Sequence, residues 1–476
     1  MSAPYPSCNV LLITTDQQRF DALGCNGNRH IQTPNLDRLA GQSINLQQHF
    51  TSYPICTPAR CSMLTGCYSR SHGAHSVGTV LPRETPCLTH ALSAAGYRCG
   101  LMGKAHFEPE KTAYVKKLDR RVPYHGFADW HITEDNMLGE YLEWIEREHP
   151  RHLRGALENN HEELHTPQRW GQKDGRADAC YVSTIPEHLH QTAWIADRTI
   201  EHIDACAASK TPAFTWCSFV DPHHPWTPPR EFMELYDPSK LPPPCRRPNE
   251  NEGIGNCYMH LENLSDAEYQ RLCAAYYAMI SHIDFHVGRV LQRLDQTGQL
   301  DRTIILFTSD HGEYNGDHGL IRKGPILYDN LLRVPMLVRL PNAAHGDTRC
   351  TQPTQHEDLA PTILDLLGLK IPQNMQGVSM RPALSGGTGG RRYAYHEYKH
   401  VDAGDGVYGV RRGQWKLLHY PDQRGYVLTD LASDPDEYTN LYGSAATQEI
   451  ERELKDALLE WLVNTPRHCL PKVAGW

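Results

Sequence analysis

The sequence predicts an α/β fold: a large, mostly parallel mixed sheet flanked by helices, with a small antiparallel-sheet subdomain near the C-terminus. Three observations carry this expectation. Apolar runs of strand length alternate with helix-length stretches from the first residues onward, as a parallel sheet covered on both faces requires. Two of those runs end in acidic residues, Asp16 and Asp310, and open α/β sheets place ligands beyond their strand ends. A Gly-rich stretch, Ser385 to Gly390, is followed by short strand-like segments.

Taken in order, Asn9 to Thr15 is a continuous apolar run and reads as a buried strand. Thr57 can cap a helix, and Pro58 suits its first position. Thr85 to Ala95 reads as a helix, then Tyr97 to Met102 and Ala213 to Val220 as strands. Residues 108–186 are irregular and rich in His, Arg and Trp, which predicts an insertion over one face rather than part of the sheet. The clearest helix is Ser265 to Asp295, with Leu272, Tyr276, Met279, Ile283, Val287, Val290 and Leu294 on one stripe and a capping box of Ser265 with Glu268. Thr303 to Thr308 is a buried strand, and Val407 to Arg411 and Trp415 to Tyr420 are strands of the smaller unit. The expected division is 1–385 for the main domain and 386–476 for the C-terminal subdomain.

Composition excludes several classes. The 476 residues carry 47 Lys+Arg against 56 Asp+Glu, a formal charge of -9 with both signs interspersed, which argues against a nucleic-acid partner. No apolar run approaches the roughly 20 residues of a membrane-spanning helix. Met1 to Cys8 shows no basic segment leading into an apolar one, so the expectation is a cytoplasmic protein. Fifteen Cys, an odd number, fit a reduced compartment, and without a Cys-x-x-Cys pair a zinc ribbon is not expected. Oligomeric state leaves no mark in the sequence.

Cys56 falls where a helix would begin, with Arg60 one turn on, an outline of an anion-binding nucleophile site. A buried structural Cys before an ordinary helix is the alternative. Asp16 could cap the next segment or serve a hard cation, which needs oxygen ligands from elsewhere in the chain; Ser309-Asp310-His311-Gly312 offers them. Lys104 and His106 in Gly103-Lys104-Ala105-His106, and Lys323 in a Gly-containing loop, read as ordinary surface Lys or core His when taken alone. His223, in Asp221-Pro222-His223-His224-Pro225-Trp226, sits in a loop stiffened by two prolines.

The whole string Cys56-Thr57-Pro58-Ala59-Arg60, with Thr65-Gly66 behind it, resembles the signature of the type I, formylglycine-dependent sulfatases of the alkaline-phosphatase-like superfamily. Matching segments run from residue 9 to about 441, with 108–186 as the exception. The resemblance implies that Cys56 is oxidised to formylglycine by a formylglycine-generating or other sulfatase-maturating enzyme. It implies a divalent ion, Ca2+ with Mn2+, Mg2+ or Zn2+ as alternatives, held by Asp16, Gln17, Asp310, His311 and the modified Cys56. Gln17 departs from the family's usual second Asp. By the same resemblance Lys104 and Lys323 grip sulfate, His223 binds substrate and protonates the leaving group, His106 acts as base, Arg60 orients the nucleophile, and Asp310 accepts a proton. The substrate is expected to be a small sulfate monoester, a sulfated sugar or an aryl or alkyl sulfate, and Tyr395 to Tyr398 could line its pocket. Two readings stand beside this one: a phosphonate monoester or phosphodiester hydrolase of the same superfamily, toward which Gln17 and His311 lean, and a non-catalytic binder of sulfated ligands.

Overall fold

The computed structural model describes residues 4–109, 122–158, 180–248, 250, 264–387, 389–399, 406–421 and 424–473. Its strands are β1 (Asn9–Thr15), β2 (Ile44–Leu46), β3 (His49–Phe50), β4 (Arg98–Gly103), β5 (Asp129–Ile132), β6 (Ala213–Ser218), β7 (Thr303–Ser309), β8 (Met336–Arg339), β9 (Thr348–Cys350), β10 (Thr354–Gln355), β11 (Ala394–Lys399), β12 (Gly406–Arg412), β13 (Trp415–Tyr420) and β14 (Gly425–Asp430). Eight of them form one sheet in the order β5-β4-β6-β1-β7-β8-β2-β9. The five strands from β5 to β7 run parallel, and β8 is antiparallel to both its neighbours.

β1 is central, paired along its length with β7 from Asn9 opposite Thr303 to Thr15 opposite Ser309. Its side chains alternate between two cores. Val10 and Leu12 pack with Phe214, Trp216, Ile304 and Leu306 on one face, while Leu11 and Ile13 pack with Cys217, Ile305 and Phe307 on the other. Both faces are covered, so the strand is apolar throughout rather than alternating. Because β4, β6, β1 and β7 are parallel, the loops carrying Lys104, His223, Asp16 and Asp310 all leave the same end of the sheet.

The long helix spans Asp266–Gln296 with Ser265 as its cap, and both halves of the expected capping box are present. The helix expected from Thr85 begins only at Leu88, because the residue before Pro86 is biased out of helical conformation. The expected insertion is corrected in part: Asp129–Ile132 joins the main sheet as an edge strand parallel to β4. Residues 110–121 and 159–179 of that stretch lie outside the described residues. No helix among the described residues is long and apolar enough to cross a membrane, and the fourteen described cysteines are free.

Strands β11 to β14 form an antiparallel sheet packed against the helix Gln448–Asn464 through Val410, Leu417, Leu428, Leu454 and Trp461. Tyr395 to Tyr398, expected at a pocket, belong to β11. His396 Nδ1 lies 2.9 Å from the Thr51 carbonyl, the Glu397 amide donates to Ser52 O at 2.8 Å, and Tyr398 stacks on Tyr53. These residues join the small sheet to the main domain.

Candidate active site

The helix Cys56–Thr65 starts two residues earlier than its sequence suggests. Extended Ile55 is the cap, and the Thr57 hydroxyl is buried in the first turn without a hydrogen-bond partner. At the other end Gly66 stops the helix with φ 68°, the left-handed conformation glycine adopts freely. Every residue of this helix is buried. Cys56 therefore opens the helix at the sheet's C-terminal end, among side chains drawn from four strand ends.

Its sulfur lies 3.0 Å from Lys323 Nζ, 3.3 Å from His311 Nε2 and 3.6 Å from Asp16 Oδ1. Ligand atoms of Asp16, Cys56, Asp310 and His311 all fall within 4.8 Å of one another, as do those of Cys56, Asp135 and His223. Burial, together with the Asp16 charge, pushes the Cys56 thiol well above its usual range. An unmodified Cys56 is thus a neutral thiol, not a working thiolate.

Arg60 Nη2 meets Asp16 Oδ2 at 3.1 Å, Nε meets Asp310 Oδ2 at 2.9 Å, and Nη1 donates to Ser218 Oγ at 2.7 Å and to the Lys104 carbonyl at 3.0 Å. The fork thus clamps the two aspartates. Of the opposite oxygens, Asp16 Oδ1 faces Cys56, and Asp310 Oδ1 accepts the Gln17 and His311 amides at 3.0 and 2.9 Å. Burial would raise Asp16, but the charges of Lys104, His223, Arg60 and Lys323 hold it well below the usual carboxylate range. Asp310, buried beside Asp16, is pushed up to about 7. His311 Nδ1 lies 2.9 Å from the Gly312 carbonyl, so that nitrogen carries the hydrogen and Nε2 turns its lone pair toward Cys56.

Two buried carboxylates and one imidazole with a fixed tautomer make a donor set that fits a divalent cation. Gln17 sits beside them with φ 69°, its amide oxygen 3.1 Å from Lys323 Nζ and its amide nitrogen bonded to Glu313.

Lys104 Nζ lies 2.8 Å from Asp16 Oδ2 and also pairs with Asp135. Lys323 Nζ bridges Cys56, Gln17 and, at 3.1 Å, His223 Nε2. His223 Nδ1 lies 2.7 Å from the His224 carbonyl, which leaves Nε2 facing the cluster, and burial lowers this imidazole to about 3. His106 is buried, its amide donating to Glu134 at 3.0 Å, and burial with the Lys104 charge depresses its imidazole well below the usual range. Arg322, the neighbour of Lys323, has φ 67°. The arrangement sets two ammonium groups and a helix start around a small volume beside Cys56, as an oxyanion with several anionic oxygens would require.

Sequence reasoning missed Glu134, Asp135 and Ser218. Asp135 pairs with Lys104 and places Oδ2 3.8 Å from His223 Nε2. The acidic pair directly behind the short segment Asp129–Ile132 was a usable signal, obscured by the irregular sequence around it. Asp317 and His318 lie off the cluster, the first paired with Arg19 and the second stacked on Tyr328.

A family model described as Sulfatase matches residues 8–369, and one described as N-sulphoglucosamine sulphohydrolase, C-terminal, matches residues 316–464. An arylsulfatase of Clostridium perfringens is 31% identical over 95% of this chain and 94% of its own length. An N-acetylglucosamine-6-O-sulfatase of Bacteroides thetaiotaomicron is 25% identical over 95% of this chain and 86% of its own. Among solved structures, the phosphonate monoester hydrolase of Agrobacterium radiobacter superposes with a TM-score of 0.80, at 26% identity over 96% of each chain.

Proposed function

The chain belongs to the sulfatase family and is a sulfuric ester hydrolase; from that premise we propose that it cleaves a small sulfate monoester at Cys56 once this residue has been converted to formylglycine. The observation that carries the reading is the buried Cys56 side chain with Lys323 at 3.0 Å and the Asp16, Asp310 and His311 donors around it. As a hydrated aldehyde the modified residue supplies a geminal diol, whose second hydroxyl permits release of sulfate, a route closed to a thiol. Asp16, Asp310 and His311, with the Gln17 amide oxygen as a further donor, would hold a divalent ion, Ca2+ by the weight of oxygen ligands, which supplies Lewis-acid stabilisation of sulfuryl oxygens.

In this reading Lys104 and Lys323 bind sulfate oxygens as preorganised positive charge. A sulfate between them draws the Lys323 ammonium off His223 Nε2 and adds negative charge beside the imidazole. Both effects favour a proton at Nε2, from which it passes to the leaving oxygen. Asp310, beside the Cys56 side chain, takes up the proton released on attack. His106 serves as base for the second half of the reaction, and Arg60 fixes both aspartates. The fourteen free thiols among the described residues support a reducing, cytoplasmic setting, and a formylglycine-forming enzyme is the required partner. The relatives that act on aryl sulfates and on a sulfated sugar support those two substrate classes.

Replacing Cys56 by Ala is expected to abolish aryl sulfate turnover while preserving the fold. Mass spectrometry of the wild-type peptide should show sulfur exchanged for oxygen with loss of two hydrogens; full activity in the variant, or an unmodified thiol in active enzyme, refutes the reading. The likeness to a phosphonate monoester hydrolase favours one second reading. Lys104 and His106 favour sulfate, and comparing an aryl sulfate with an aryl phosphonate ester decides between them.

A further inference from the structure

Glu187, His282 and His286 form a second cluster that shares no residue with the first. His282 and His286 are four residues apart on the helix Asp266–Gln296 and so project from one face. Both are buried, at 0% and 1% side-chain exposure, and Glu187 reaches them from the short turn Glu187–Leu189 while keeping 21% of its own side chain exposed. Glu187 Oε1 lies 2.7 Å from His286 Nε2 and 3.2 Å from His282 Nε2, and the two Nε2 atoms are 3.1 Å apart. We propose that these three side chains hold a divalent transition-metal ion, with zinc as the natural occupant. Tetrahedral zinc with bonds of about 2.0–2.1 Å sets its ligand atoms about 3.3 Å from one another, so the triangle needs to open by only a few tenths of an ångström.

Hydrogen-bond accounting supports an ion at its centre. Arg289 Nη1 donates to His286 Nδ1 at 3.0 Å, which puts the His286 hydrogen on Nε2, aimed at Glu187. His282 Nε2 then faces that same N–H and the same carboxylate oxygen, while its Nδ1 is buried without a partner. Neither tautomer of His282 satisfies both nitrogens. An ion bound by both Nε2 lone pairs and Glu187 removes the competition at Nε2 and fixes the His282 hydrogen on Nδ1. His190 and Asp221 each offer an atom within 4.8 Å of one on His282, the kind of outer partner that orients a metal-bound imidazole. Phe232 and Phe285 pack on the two histidine rings, and Phe285 and Arg289 also border a surface groove of about 700 Å³.

Binding has one cost: His286 Nδ1 must take the hydrogen, so the Arg289 guanidinium, also paired with Asp197 at 2.8 Å, must swing away. The position opposite the protein ligands is left for water. Such an ion would tie the long helix to the segment carrying Glu187.

The test uses the full chain, stripped with chelator and saturated with calcium, then titrated with Zn2+ by calorimetry with metal content measured in parallel. Wild type is expected to take up one zinc per chain at this cluster. Glu187→Gln and His286→Gln should weaken that binding at least tenfold, and Arg289→Ala should tighten it about threefold, with calcium-dependent aryl sulfate turnover retained in all three. Co2+ in place of Zn2+ should give the visible absorption of a tetrahedral site, lost in Glu187→Gln. Should His286→Gln fail to fold, Glu187→Gln carries the test, since its side chain is partly exposed. Equal zinc affinity and stoichiometry in wild type and Glu187→Gln, or loss of all zinc uptake in Asp310→Asn, overturns the proposal.

Discussion

Lys323 touches three partners at once: Cys56 Sγ, Gln17 Oε1 and His223 Nε2, each within 3.1 Å. Removing one preorganised cation from a site that stabilises anionic oxygens costs about 10² to 10³ in rate. Lys323→Ala is therefore expected to lower kcat/KM for an aryl sulfate by that factor, measured by steady-state kinetics; a loss under tenfold would remove Lys323 from the sulfate-binding pair. At this scale the sequence was informative wherever chemistry is written in one short string. Cys56, Arg60, Lys104, His223, Asp310, His311 and Lys323 all stand in or beside the cluster; Lys104, Asp310 and His311 directly follow strand ends, and Cys56 and Arg60 share one helix. Asp135 was missed because its place depends on β5 pairing with β4, a contact between residues about 30 apart that no local pattern encodes. The aspartate partners of Arg60 were equally beyond any local pattern, since Asp16 and Asp310 are 44 and 250 residues away.

Among the elements, β4 sets the position of Lys104 by an unusually close approach. Gly103 has φ 109°, and a Cβ there would lie 1.9 Å from the Ser218 carbonyl oxygen of the neighbouring strand. Only glycine combines that dihedral with that approach. Gly103→Ala should cost roughly 1–3 kcal/mol of stability in urea denaturation and displace Lys104 enough to reduce turnover. An unchanged midpoint with full activity would show that β4 can shift without consequence. Strands with continuous apolar character, β1 and β7, and the capped long helix were legible because pattern and boundary signals agree there. Boundaries failed where a proline or the site intervened, as at Leu88 and Cys56. The edge strand β5, only four residues long, carries too little periodicity to stand out.

For the molecule as a whole, the junction between the main domain and the C-terminal sheet contains two buried carboxyls. Glu357 accepts from Ser52, and Glu397 accepts the Arg70 amide at 2.9 Å. Burial raises both to about 7, against an ordinary value of 4.5. A folded-state value above the unfolded one means that the native protein keeps these protons longer than the unfolded chain. Their contribution to stability is complete below about 4.5 and lost as pH rises through about 7. Glu397→Gln should flatten that decline and leave the protein more stable than wild type at pH 8 by on the order of 1 kcal/mol. Denaturation at pH 5 and pH 8 measures it, and an identical pH dependence in the variant would place the loss elsewhere. Cys56 is 1% exposed at the start of a helix with no exposed residue. Once the sheet has closed, a visitor the size of a protein has no path to that side chain. On the proposed reading, whether a given molecule becomes an enzyme is then settled during its own synthesis, and a population made without its editor is expected to stay inert however much editor is added afterwards.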